Sequence, residues 1–237
     1  EDYETEDFID HNESELDQSE ADKKKMKERI KVYERAKAQA LKKLDKMGQK
    51  YLQADVEEQL PKYSPKYNMI INSILKSPGN AFVYTEYKTV EGIAVLGVVL
   101  KANGYALYDP NNPSTKSLKY TFITGEESPE QRRINQDAFN DDDNKFGEFI
   151  QVMIISGAGA EGISLTCVRQ VHILEPYWNY IRIEQVFGRA NRINSHLQLT
   201  PDNRNIEQFL YLCTFPDGNT VNDVYQSMVR LGTWSGL

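Results

Sequence analysis

The sequence predicts an α/β fold in which a parallel sheet is sandwiched between helices. Three observations carry that prediction. Strand-like and helix-like segments alternate four or five times through residues 61–237. Turn-rich stretches separate them, at Pro78-Gly79, at Asp109 to Ser117 and at Pro216-Asp217-Gly218-Asn219. One stretch, Val152 to Ile193, reads as strand, tight glycine turn, short helix, second strand and then a helix with two arginines. Such a pattern calls for crossover helices on both faces of the sheet.

The elements follow in order. Residues 1–22 hold 11 acidic side chains and no Lys or Arg, too little apolar surface to offset ordering entropy, so they read as a disordered acidic tail or linker. An alternative is that they mimic nucleic acid and cover a basic surface. Residues 23–60 form a basic amphipathic region. In it Met26, Ile30, Tyr33, Ala40, Leu44, Met47 and Tyr51 keep a helical spacing broken only at Lys37. The stripe is expected to pack on the folded domain with the lysine face solvated. Otherwise Lys23, Lys24, Lys25, Lys27 and Arg29 would track a phosphate backbone or an acidic partner.

The globular domain then covers residues 61–237. Ser64 and Pro65 open a helix to about Lys76, as a cap and a first-turn proline. A strand spans Ala81 to Thr85, and a buried helix runs from about Thr89 to Ala102, closed by Gly104. After a surface loop comes the strand Lys119 to Thr124. Ser128-Pro129-Glu130 starts a helix that should carry Ile134 and Ala138 inward. The triple carboxylate Asp141-Asp142-Asp143 sits among turn residues and reads as solvated. Strands at Gln170 to Glu175 and Gln208 to Phe215 and a last helix from about Val221 to Leu231 complete the domain.

Composition narrows the class. With 237 residues and 40% apolar content the chain can bury one sizeable core. No apolar run approaches the ~18 residues that cross a bilayer, and no targeting signal is seen. The first residue, Glu1, reads as the start of an excised piece of a soluble protein. Cys167 and Cys213 lack metal-ligand spacing and fit reduced, buried thiols in a cytoplasmic or nuclear setting. The net charge of −7 is set by the acidic tail: of 35 acids 11 lie there, leaving 24 against 28 bases. Residues 23–60 carry 12 basic and 6 acidic side chains, and the rest is slightly acidic. That balance does not exclude nucleic acid, because backbone contact needs only a local groove.

Gly157, Gly159 and Gly162 follow the apolar strand as G-x-G-x-x-G, and Glu175 closes the next strand. A dinucleotide site would read this way. The spacing opposes it. Ser164, Thr166 and β-branched Ile163 leave room for only about two helical turns, where a full crossover helix is required. Further on, Arg189 and Arg192 stand three apart on an expected helix, with Gln185 one turn earlier. Two guanidinium forks aimed together suit a triphosphate whose charge grows during transfer.

Ser156 to Leu165 resembles motif V of superfamily-2 helicases, and Gln185-x-x-Gly188-Arg189-x-x-Arg192 resembles motif VI. Glu175-Pro176-Tyr177-Trp178-Asn179 is similar to a segment of the Swi/Snf-type DNA translocases, with Glu175 and Tyr180 replacing that group's Asp and Pro. Gly125, Arg132 and Phe139, seven apart, resemble the segment that precedes motif V there, and Ala81 to Tyr87 resembles motif IV. The likeness runs from about Tyr63 to Phe215. It is closest in flavour to the helicase-like ATPases of large cytoplasmic DNA viruses, including poxvirus-type transcription ATPases.

The resemblance implies the second RecA-like lobe of a two-lobed motor. Arg192 would then act as a finger on the γ-phosphate of ATP with Arg189 beside it, and Gln185 would orient the cleft or the attacking water. Gly162, Glu161 and Gly188 would lie near the nucleotide. Thr85, Gly125, Ser156 and Gly157 would touch a nucleic-acid backbone, DNA in preference to RNA. Neither G-x-x-x-x-G-K-[ST] nor D-E-x-[HD] occurs, so Mg²⁺ and the phosphate cradle would belong to a first lobe, and this piece alone would be catalytically silent. Host cytoplasm or virion would be its location if viral. His172 reads as structural, as do Tyr177 and Trp178. A non-catalytic, helicase-derived interaction module is the alternative; retention of both arginines speaks against it.

Overall fold

A computed structural model describes residues 20–88, 92–112, 118–160, 162–177 and 179–214, with side chains from residue 25 onward. The chain divides into two units, Glu1–Leu44 and Asp45–Leu237. The long helix α1 (Glu20–Tyr51) runs across that division. Of the seven stripe residues Met26, Ile30, Tyr33, Ala40 and Met47 are exposed, and Leu44 and Tyr51 are half-buried, so a stripe buried along its length is not formed. Glu20, Ala21 and Asp22, expected in the acidic tail, belong to α1; the tail before residue 20 lies outside the described residues, as does the helix expected from Val221.

The second unit is built on one six-stranded sheet. Its strands are β1 (Asn80–Thr85), β2 (Ala106–Leu107), β3 (Lys119–Ile123), β4 (Val152–Ser156), β5 (Val168–Ile173) and β6 (Glu207–Leu210). Their spatial order is β2-β3-β4-β1-β5-β6, and every neighbouring pair is parallel. Of the four inner strands, β4, β1 and β5 are buried along their whole length and β3 at all but Phe122. A parallel sheet demands this, since its crossovers lay helices over both faces.

Alternation along β1 sends Phe82 and Tyr84 to one layer and Val83 to the other. The first layer joins them to Ile123, Met153, Ile155 and Val171, with Phe139 from α5 (Pro129–Phe139) and Ile183 and Val186 from α6 (Tyr180–Ala190). Opposite, α3 (Pro65–Leu75) and α4 (Ile93–Ala102) bury Ile70, Ile71, Ile74, Leu96, Val99 and Leu100. The predicted caps are present: Ser64 accepts from Tyr67 N and Ser128 from Gln131 N. Gly104 leaves α4 with φ +91°, a conformation open to glycine at little cost.

Several local readings shift. The short helix expected after Gly157 is absent among the described residues, where turns and irregular backbone run to β5. Arg192 is not on α6, which ends at Ala190 and is capped by Asn191. Glu175 lies beyond β5 rather than in it. Of the two residues expected inward on α5, Ala138 packs on the core but Ile134 is exposed, and Asn135 and Phe139 are the buried positions. Cys213 is exposed; only Cys167 is a buried thiol. The carboxylates Asp141, Asp142 and Asp143 are exposed, and Asp141 caps a single 3₁₀ turn. Beside them Asn144 is fully buried: it donates to Phe139 O and Ile150 O and accepts from Phe149 N and Ile150 N, which clips the loop to the start of β4.

His172 in β5 is fully buried, bonded through Nδ1 to the Tyr211 hydroxyl at 2.8 Å and stacked on Phe209 at 4.8 Å. Burial pushes its pKa down from 6.5 to about 3. The folded state therefore holds a neutral ring that the unfolded state protonates below pH 6.5, so its contribution is complete above that pH and is lost as pH falls toward 3. The expected slope is about 1.4 kcal/mol per pH unit. Urea unfolding at pH 6.5, 5.5 and 4.5 checks this: His172→Gln should flatten the loss relative to the native chain, and parallel slopes in the two proteins would refute the assignment.

Candidate nucleotide and nucleic-acid site

The site is assembled at the carboxyl ends of β1, β3, β4 and β5, where parallel register brings Thr85 beside Ser156 and Tyr84 beside Ile173. Loops leaving a parallel sheet at this edge gather ligands. The central loop runs from Ser156 to Cys167. Its first turn is held by Ser156, whose hydroxyl donates to Thr124 O at 2.8 Å and accepts from Gly159 N at 3.2 Å. Gly159 presses against the end of β3: a Cβ there would lie 2.3 Å from Ile123 O, so only glycine fits. Arg132 of α5 then donates to Gly159 O at 2.9 Å.

The second half of the loop is wedged between α5 and α6. Ser164 O accepts from Gln136 and Asn140, Thr166 N donates to Asn140 Oδ1, and Leu165 N donates to Arg189 O. Against this segment the two predicted arginines meet. Arg189 Nη1 lies 3.5 Å and Arg192 Nη2 3.4 Å from the same carbonyl oxygen, that of Ile163. Arg192 Nε also donates to Gly188 O at 3.3 Å. These are long bonds to a neutral acceptor, and Arg192 is exposed. Gly162, at φ +73°, and Ile163 also line an open cavity of about 290 Å³ with Arg132, Arg133 and Gln136.

The other predicted residues fall as follows. Gln185 is exposed on α6, on the helix that carries Arg189. Gly188 has nothing within 4 Å of the space its Cβ would take. Glu161 and Trp178 lie outside the described residues. The four positions expected to touch a nucleic-acid backbone all lie on this edge, yet the groups they would offer are engaged inside the protein. The Thr85 hydroxyl donates to Glu175 at 2.8 Å, Gly125 N to Glu127 at 3.1 Å, Ser156 Oγ to Thr124 O and Gly157 N to Thr85 O. Thr85 and Ser156 are fully buried. They brace the edge; the residue among the four that reaches solvent fully is Gly125, at φ +90°.

An unforeseen network sits over Gly157. Glu86 pairs with Arg182 of α6 at 3.0 Å and accepts from the Tyr84 hydroxyl at 2.8 Å. The Arg182 guanidinium lies over the Tyr177 ring at 4.3 Å. Burial, with Glu86 adding to it, pushes Tyr84 up to about 12, so its proton stays in place as a donor. Glu175 ties Thr85, Glu86 N and Lys66 together. Spacing gave no sign of Glu86 and Arg182, which are 96 positions apart; Arg132 was visible in its segment but without a partner. Among the described residues no group of His, Cys, Asp or Glu could hold a metal ion.

A parallel sheet with a braced glycine loop and two arginines at its carboxyl edge agrees with the helicase class that the sequence resembles. The chain belongs to the family described as the helicase conserved C-terminal domain, which it matches over residues 65–194. Similar proteins come from large DNA viruses. A mimivirus protein named as a candidate ATP-dependent RNA helicase is 35% identical over 65% of this chain and 27% of its own length. An African swine fever virus protein named as a termination factor NPH-I homolog is 31% identical over 67% and 28%. The nucleoside triphosphatase I of Melanoplus sanguinipes entomopoxvirus is 30% identical over 74% and 25%. The chain thus spans about a quarter of the curated relatives it matches. The yeast DEAD-box splicing factor Prp28 overlays with a TM-score of 0.45 at 16% identity, covering 76% of this chain and 32% of that one. Among the described residues no helix is long and apolar enough to cross a membrane.

Two glycines should respond in opposite ways. Gly159→Ala forces a methyl into Ile123 O and should lower the melting temperature by several degrees. Gly188→Ala, in open space within α6, should raise stability by about 0.5–1 kcal/mol. Thermal unfolding of both variants checks this; a destabilised Gly188→Ala would mean that this face of α6 is not free.

Proposed function

We propose that this lobe is the second half of a nucleic-acid-dependent ATPase, a helicase or translocase, and that it presents Arg189 and Arg192 to ATP gripped by a first RecA-like lobe. The observation that carries this reading is the meeting of both guanidinium groups on Ile163 O, at the carboxyl edge of the sheet. Each rests there on a weak neutral acceptor, whereas a phosphate oxygen would form a charge-assisted bond about twice as strong. ATP with Mg²⁺ supplies the phosphoryl group and its free energy, with the metal held by the first lobe. On this chain, Arg192 stabilises charge on the γ-phosphate, Arg189 fixes the loop through its own carbonyl and adds a second fork, and Gln185 faces the cleft. Gly162 and Gly188 leave room for the nucleotide beside them, and Glu161 is the further candidate near the ribose.

The same edge would carry the nucleic acid. Thr85, Gly125, Ser156 and Gly157 shape the surface that a sugar-phosphate backbone follows, bracing the loops by the bonds described above. Resemblance to DNA translocases favours DNA, while one relative is named as an RNA helicase, so both tracks belong in the test. Soluble surroundings, host cytoplasm or virion, fit this reading.

The test compares three proteins: the chain alone, the chain in a protein that carries it together with a P-loop lobe, and that protein with Arg192→Ala. The chain alone should turn over no ATP. The two-lobed protein should hydrolyse ATP faster with single- or double-stranded DNA or RNA present, and Arg192→Ala should reduce turnover about 10³-fold or more. Because Arg192 is exposed and beyond the helix end, the melting temperature should barely move. ATPase activity from the chain alone, or full turnover without Arg192, would overturn the assignment.

A further inference from the structure

We infer that residues 1–19 dock on the basic, apolar face of α1 within their own unit. The face is well defined. Met26, Ile30 and Tyr33 follow i, i+4, i+7 spacing and so share one stripe, and each is at least half exposed. Lys25 and Arg29 flank the stripe on one side and Lys27 on the other, all exposed. Residues 23–44 carry ten basic side chains against two acidic ones, a strong single-sign field on one helix.

Residues 1–19 are its complement in both respects. They hold nine acids and no Lys or Arg, and among the acids stand Tyr3, the pair Phe8-Ile9 and Leu16. An apolar stripe rimmed by cations is matched by apolar residues rimmed by carboxylates. Reach is ample: Phe8 lies 12 residues before Glu20, up to ~40 Å of extended chain, while Tyr33 is only ~20 Å along the helix. The tether gives an effective concentration of about millimolar, so even a weak contact is populated. A second copy fits the face less well, because two helices of this charge repel each other. Covering exposed apolar surface and neutralising its rim act together, and salt weakens only the second.

Lysine labelling with a neutral acetylating reagent, read by mass spectrometry, tests this on the whole chain. Lys25, Lys27 and Lys31 are compared with the exposed Lys76 of the second unit as the internal reference. In about 50 mM salt their labelling should be at least threefold slower than in a chain beginning at Glu20, and about 0.5 M salt should narrow the gap. Phe8→Ser with Ile9→Ser keeps every charge and should recover most of the lost reactivity. Equal labelling in the intact and shortened chains overturns the inference. So does protection that survives the double serine variant unchanged, which would show a field effect without docking. Protection that grows with protein concentration would place a second copy on the face and overturn it as well.

Discussion

Everything at the carboxyl edge depends on how closely the Gly157–Gly159 turn lies against the end of β3. A methyl at Gly159 would overlap the Ile123 carbonyl, so the approach is one that only a residue without Cβ permits. With backbone against backbone, Ser156 spans the gap between β4 and Thr124, and Arg132 reaches across from α5 to Gly159 O. The rest of the loop is then directed outward between α5 and α6, and the Ile163 carbonyl is delivered to the arginines. A looser turn would leave each guanidinium without its acceptor. The fold thus positions charge by packing two strand ends, not by any bond between the charged groups themselves.

Carboxylates do much of the remaining work at this edge. Parallel strands end with main-chain and side-chain polar groups that the sheet cannot satisfy, and at these depths an unmade hydrogen bond costs about 1–3 kcal/mol. Glu175 takes the Thr85 hydroxyl and the Glu86 amide; Glu127 takes the amides of Thr124 and Gly125 and the Thr124 hydroxyl. Burial works against the charge on Glu127, but the bonds from Thr124 and Gly125 outweigh it and hold its carboxyl below the usual range. Glu86 joins β1 to α6 through Arg182. The surface at this edge is therefore one whose internal donors, the Gly125 amide included, are already spoken for.

Much of this was legible in the sequence, for identifiable reasons. Helix starts were visible because Ser64-Pro65 and Ser128-Pro129 combine a cap with a first-turn proline, and both caps are made. Strands β1, β3, β4 and β5 followed from apolar runs, whereas the two-residue β2 was not foreseen and β6 ends at Leu210. What failed depended on partners distant in sequence. The loop after Gly157 has enough residues for a short helix, but its donors and acceptors are taken by Asn140, Gln136 and Arg189, leaving irregular backbone instead. Spacing alone continues α6 through Arg192, yet the helix ends at Ala190 with Asn191 as its C-cap. Ile134 looked inward by composition, while the buried positions of α5 went to Asn135, which bonds Phe122 O, and to Phe139.

The break before Arg192 changes how the two arginines can act. Arg189 is in the last turn of α6, half-buried, with its backbone carbonyl fixed to Leu165 N. Arg192 stands past the cap, exposed, on backbone that the helix no longer constrains. Two like charges brought to one oxygen repel each other, and what offsets the repulsion is the partial negative charge at the helix C-terminus together with the Gly188 and Ile163 carbonyls. That arrangement keeps both forks near the edge without an anion, while binding neither tightly. Arg189 is anchored within the helix, while Arg192 stands on the turn beyond it, held by the Gly188 and Ile163 carbonyls and by a main-chain bond from Ser195 N, so on the proposed reading Arg192 is the fork with more room to move toward a triphosphate.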